Sequence, residues 1–209
     1  SNMPAAILDG LPALAVEPAL APGPGPADAW AFGAAPLTAE AQLWRIELKS
    51  SVGKQLLWSQ GGGGPAFHRG ASLTWDPVLE RVLLFTVDGA LQVWGWSPAT
   101  PSSWQKLGQD NTITQGRVRL FGDPTLDDAL LAISFPVGGT KPSFRKAKLS
   151  GTASLTPWTV QTDPWWGPFG SLWLPGSGEL LLSLGVDASG RPQPGVGRWQ
   201  RVCVPDGVP

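Results

Sequence analysis

Apolar residues come in short clusters along this chain, and Gly, Pro or Asp interrupts each cluster before it reaches helix length. The clusters are rich in Leu, Val, Trp and Phe and are as long as strands. This pattern predicts an all-β chain of short strands joined by tight turns. Four such segments follow one another at 71–75, 81–87, 90–96 and 103–107, and four more at 117–121, 129–135, 143–149 and 156–160. An earlier and more worn set reads 14–16, 29–32, 42–48 and 54–58. The last set offers 171–174, 179–184 and 197–204, with no fourth strand.

The sets are copies of one unit. Trp44 and Trp94 are 50 residues apart, Phe144 follows 50 later, and Trp199 follows after 55. Trp58, Trp104 and Trp158 form a second series behind the first. Asp76-Pro77 returns 47 residues on as Asp123-Pro124, each followed by an apolar run. Asp at the first turn position and Pro at the second favour a type I turn, so each pair predicts a hairpin. A period near 50 marks a repeat architecture in which neighbouring units bury each other's faces. Residues 5–8 are an apolar segment with no place in the first copy, and they suit the missing strand of the last.

The units resemble the kelch repeat, a four-stranded propeller blade. The resemblance rests on Arg69-Gly70-Ala71-Ser72 before the first strand, Asp76-Pro77 in the turn, Trp94 in the third strand and Trp104 in the fourth. It is strongest over 65–107 and extends more weakly over 5–204. It implies a β-propeller of four-stranded antiparallel blades, and the four sets of segments make it four-bladed: one all-β domain over residues 1–209. The expected blades are 11–60, 65–108, 115–161 and 168–204, with the ring closed by the N-terminal strand 5–8. Two departures stand out: the family's paired glycines after the second strand occur only at Gly138-Gly139, and kelch rings usually have more than four blades. A larger ring shared between copies, and hence a homo-oligomer, is the alternative to a compact one. Core packing between blades is the expected role of Trp44, Trp94, Trp104, Trp158 and Trp199.

Composition narrows the function. Fifteen basic and 16 acidic residues leave a net charge of -1, with no electrostatic footprint for nucleic acid. No apolar run is long enough to insert in a membrane as a helix. Ser1-Asn2 ahead of Met3 reads as a cloning scar, and no basic, export-type leader follows, so a cytoplasmic location is expected. The chain has no tyrosine, one histidine and one cysteine. Propeller oxidases related to kelch proteins hold copper with Tyr and His, and propeller sialidases use a Tyr nucleophile, so neither chemistry is expected. His68 and Cys203 do not make up a zinc set, and no cofactor or metal is expected. Gly61–Gly64 lacks the Lys-Ser/Thr of a phosphate loop and runs into Pro65, which suits a crossing between blades.

A binding face remains. In a propeller, the loops between blades and the loops joining second and third strands emerge at one end. That end would collect Phe67, His68, Arg69, Asp88, Asp110 with Asn111, and Asp163 with Trp165 and Trp166. The adjacent Trp pair lies outside the repeated Trp positions. It is read either as a contact platform or as a plug packed between blades. The expected function is non-catalytic binding of a protein partner through this end. Carbohydrate binding is the alternative, and an enzyme using Asp, Glu, Arg and Lys ranks third.

Overall fold

The structure is a computed structural model and describes residues 12–14, 17–48, 52–61, 63–121, 128–134, 143–148, 154–158, 171–174, 179–184 and 198–203. All its regular structure is β. β1 (Ala19–Pro22), β2 (Asp28–Ala34), β3 (Ala41–Leu48) and β4 (Val52–Ser59) form a first antiparallel sheet. β5 (Ser72–Asp76), β6 (Arg81–Val87), β7 (Leu91–Trp96) and β8 (Trp104–Asp110) form the second. β9 (Arg117–Phe121), β10 (Asp128–Ser134), β11 (Ser143–Lys148) and β12 (Ser154–Trp158) form the third. β13 (Ser171–Leu174), β14 (Glu179–Leu184) and β15 (Arg198–Cys203) form a three-stranded fourth. Each sheet is a meander in which sequential strands pair. The proposed closing strand at 5–8 lies outside the described residues.

Strand positions follow the apolar clusters closely, except at the start. The first strand is Ala19–Pro22 rather than 14–16. Its residues Ala-Leu-Ala-Pro carry no β-branched or aromatic side chain, so the sequence pattern passes over it. Leu14 instead lays its side chain against Gly33.

The second sheet buries both faces, which explains why β6 reads as a continuous apolar run rather than an alternating one. Leu73, Val82, Leu84, Trp96 and Trp104 pack against Ala19, Phe32, Leu43 and Trp58 of the first sheet. Leu83, Phe85, Val87, Leu91, Val93 and Leu107 face the other way, toward Ile113, Val118 and Leu120. Between the first two sheets the aromatics meet in two groups. Trp30 stacks on Trp75 at 5.5 Å and meets Trp96 edge-on at 6.0 Å. Trp104 sits edge-on to Phe32 at 5.7 Å and to Trp58 at 6.0 Å.

The copies correspond residue by residue. Gln42-x-Trp44 in β3 and Gln92-x-Trp94 in β7 each tie the indole to the glutamine, with Nε1 donating to Oε1 at 3.0 and 2.9 Å. Both strands shift register just before the tryptophan, leaving Leu57 and Leu107 as the extra residues of their partner strands. Such a bulge bends and twists an outer strand. In the third sheet, Leu131 pairs with Arg145 as Leu84 pairs with Trp94. The 50-residue spacing pointed to Phe144, but the pairing puts Arg145 at the tryptophan position. A one-residue shift exchanges the two faces of a strand.

Inner strands follow the same correspondence. Ala19 pairs with Phe32, Ser72 with Phe85 and Arg119 with Ala132 at matching levels. Two residues ahead of each stand Glu17, Gly70 and Arg117. Glu17 and Gly70 share a left-handed backbone, with φ of 61° and 77°. The Val118 N–H donates to the Gly70 carbonyl at 2.7 Å, and Ser72 Oγ donates to the Val118 carbonyl at 2.8 Å, joining the leading edges of the second and third sheets.

Candidate functional site

The loops at one end of the sheets gather the polar groups. β2 ends at Ala34 and β3 begins at Ala41, so 35–40 caps this end of the first sheet. Gln60, leaving β4, donates its N–H to the Ala41 carbonyl at 2.9 Å, which brings the 60–71 crossing to the same end. The β6–β7 turn at Asp88 and the crossing after Asp110 complete it.

His68 and Asp88 meet here, with Nε2 and Oδ1 3.3 Å apart and both side chains open to solvent. Arg69 is exposed beside them and makes no ion pair among the described residues. Phe67 turns inward and is half-buried, its ring 6.4 Å from that of Phe32. Asp163, Trp165 and Trp166 lie outside the described residues.

Asp110 ends β8 and works as a junction. Its Oδ2 accepts from Arg145 Nε at 2.6 Å, across from the second sheet to the third. Its Oδ1 accepts from the Thr112 N–H at 2.8 Å and from Thr112 Oγ1 at 2.6 Å. Arg145 Nη2 donates to the same hydroxyl at 3.0 Å. Burial pushes the Asp110 carboxyl upward, but the bonds from Thr112 and Arg145 outweigh it and hold the group below the usual carboxylate range. Asn111 bonds back to Gln109.

Three residues at this end were not singled out in the sequence. Glu17 and Arg117 form an ion pair at 3.3 Å that joins the lead into the first sheet to the first strand of the third. Gly70 leaves the room this needs, because a Cβ there would collide with the Arg117 side chain. Leu37 is 99% exposed. Its loop is nonetheless well tied: the Ala35 N–H donates to the Glu40 carbonyl at 2.8 Å, and the Ala39 N–H to the Ala35 carbonyl at 2.9 Å. Ala39 holds a left-handed φ of 57° to close the turn. Neither feature has a local sequence signal, since both depend on which loops share an end.

The arrangement offers a rigid loop end with an apolar tip, an exposed cation and paired charges. Among the described residues, no group of three or more His, Cys, Asp or Glu side chains could hold a metal ion, and no helix is long and apolar enough to cross a membrane. Comparison with protein-family models and with curated proteins found no match to this chain.

Proposed function

We propose that the chain is a compact, kelch-like, four-bladed propeller that serves as a non-catalytic protein-binding module. The Glu17–Arg117 pair supports the compact ring. In a four-bladed ring the first and third blades stand opposite each other, and only a narrow axis lets their leading residues touch. The repeated direction of packing supports it too, since the face of the second sheet that covers the first is matched by the face of the third that covers the second.

The partner docks on the loop end. The observation that carries this reading is the fully exposed Leu37 on a hydrogen-bonded loop at the same end as Arg69, His68 and Asp88. A rigid apolar tip beside an available guanidinium loses little conformational freedom on binding. Affinity capture from the source cells tests this. Leu37→Asp and Arg69→Glu each lose the partner while keeping the far-UV circular dichroism of the parent. A partner retained by both variants refutes the assignment of this end.

A further inference from the structure

Arg45, Arg81, Arg117 and Arg145 each meet a carboxylate, at 2.8 Å on Asp28, 3.1 Å on Asp76, 3.3 Å on Glu17 and 2.6 Å on Asp110. The two other arginines with described side chains, Arg69 and Arg119, are exposed and make no hydrogen bond or ion pair among the described residues. Both stand at one joint between the second and third sheets. We infer that this joint is an anion site, and that the partner docking at the loop end presents an acidic segment to it. The inference rests on the protein-binding reading and adds the chemistry of the partner.

The backbone fixes where the two arginines stand. Arg69 precedes Gly70, whose carbonyl accepts from the Val118 N–H at 2.7 Å, and Arg119 follows Val118. Ser72 Oγ ties the joint again by donating to the Val118 carbonyl at 2.8 Å. Arg119 lies two residues along β9 from Arg117, on the same face of the strand. The joint therefore carries three arginines against the single carboxylate of Glu17. Other carboxylates at this end are engaged or apart: Asp88 meets His68, Asp110 holds Arg145 and Thr112, and Glu40 belongs to the separate β2–β3 loop.

This excess of cation selects the ligand class. A guanidinium with no internal partner offers its paired N–H donors to a carboxylate. Arg69 lies three residues before Ser72, and Ser72 shares the level of Arg119, so about 10 Å along the strand direction separates the two. Three residues of extended peptide span a similar length, so two carboxylates on one segment suit the pair better than a single phosphate. Two unpaired cations on a chain of net charge -1 make no footprint for nucleic acid or an anionic lipid surface. The exposed Leu37 at the same end adds an apolar contact, so the segment is acidic with an apolar flank.

Fluorescence anisotropy with a fluorescein-labelled hexaglutamate flanked by leucines, and with its hexaglutamine twin, tests the inference. At about 20 mM salt the glutamate peptide is expected to bind at least about tenfold tighter, and about 0.5 M salt removes the preference. Arg69→Gln and Arg119→Gln each weaken the glutamate peptide about three- to fivefold, as the loss of one exposed ion pair implies. Lys106→Gln makes the same change of charge on the outer strand β8 and shifts binding less than about twofold. All three residues are exposed, and parental circular dichroism establishes that each variant is folded. Equal binding of the two peptides overturns the inference. So does a loss in Lys106→Gln as large as that in Arg69→Gln or Arg119→Gln. A cellular partner captured by the Arg69→Gln/Arg119→Gln double variant as fully as by the parent overturns the acidic assignment and leaves the protein-binding reading standing. Glutamate preference with no cellular partner captured supports the anion site and counts against that reading alone.

Discussion

Glu17 and Arg117 stand 100 residues apart in the chain, yet their side chains meet at 3.3 Å over the backbone of Gly70. All three occupy the same position in successive sheets. The Arg117 and Glu17 side chains are 36% and 46% exposed, so the pair is worth no more than about 1 kcal/mol and is screened by salt. The left-handed backbone at Glu17 costs about 1–2 kcal/mol in the opposite direction. Glu17→Gly is therefore expected to be near neutral at low salt and stabilising at high salt, measured as urea midpoints at both ionic strengths. Gly70→Ala combines a φ of 77° with a clash against Arg117, and an expected loss of about 1–3 kcal/mol is read from the same curves.

Two leucines in matching positions should behave differently. Leu73 pairs with Leu84 and Leu20 with Ala31, each at the same level of its sheet. Leu73 is 6% exposed against the first sheet, whereas Leu20 is 64% exposed. Leu73→Ala should cost about 2–4 kcal/mol, and Leu20→Ala less than about 1. Leu20 faces the side of the first sheet that the proposed ring would cover with the fourth sheet. Equal losses would mean that the ring is closed over it, whereas a small loss at Leu20 means that this face stays open.

Asp110 links stability to pH. Its carboxyl is held below the ordinary range in the folded chain, so its contribution is complete above the unfolded carboxylate pKa, near 3.9. That contribution is lost as pH falls through the lower folded value. Asp110→Asn is expected to be less stable than the parent at pH 7 and to begin converging with it only as pH falls below about 4, the difference closing as the folded Asp110 protonates, followed by thermal unfolding across pH. Asp110→Ala leaves the buried Arg145 without its carboxylate and should cost about 2–4 kcal/mol at neutral pH.

The β5–β6 turn hangs on one carboxylate. Asp76 is buried, accepts from the N–H groups of Val78 and Leu79 at 3.0 and 3.1 Å, and meets Arg81. Asp76→Ala is expected to lower stability by about 2–4 kcal/mol. Glu80 closes the same turn with φ of 46°, so Glu80→Gly should raise stability by up to about 1 kcal/mol. Differential scanning calorimetry of the two variants gives shifts of opposite sign.

Strand content and the hairpin at Asp76 were legible locally. Cluster length, Gly and Pro spacing and the Asp-Pro turn are short-range properties, and β6, β9, β13 and β14 match the apolar clusters residue for residue. The Ala19–Pro22 strand was not legible, because its two inward alanines, Ala19 and Ala21, mean little until Phe32 and Trp30 are set opposite them. Of the candidate site, His68 and Asp88 come together as the shared loop end implies, while Phe67 is drawn inward by Phe32.

The amino-acid order alone determined that this chain makes repeated β-meanders, because period, turn chemistry and strand length are written within each copy. Register between copies was decided only in three dimensions. Arg145, not Phe144, takes the tryptophan position because backbone pairing, blind to sequence spacing, chooses which side chain faces which sheet. Contacts between distant copies, such as Glu17 with Arg117 and Asp110 with Arg145, arise from the stacking of sheets and have no local signature.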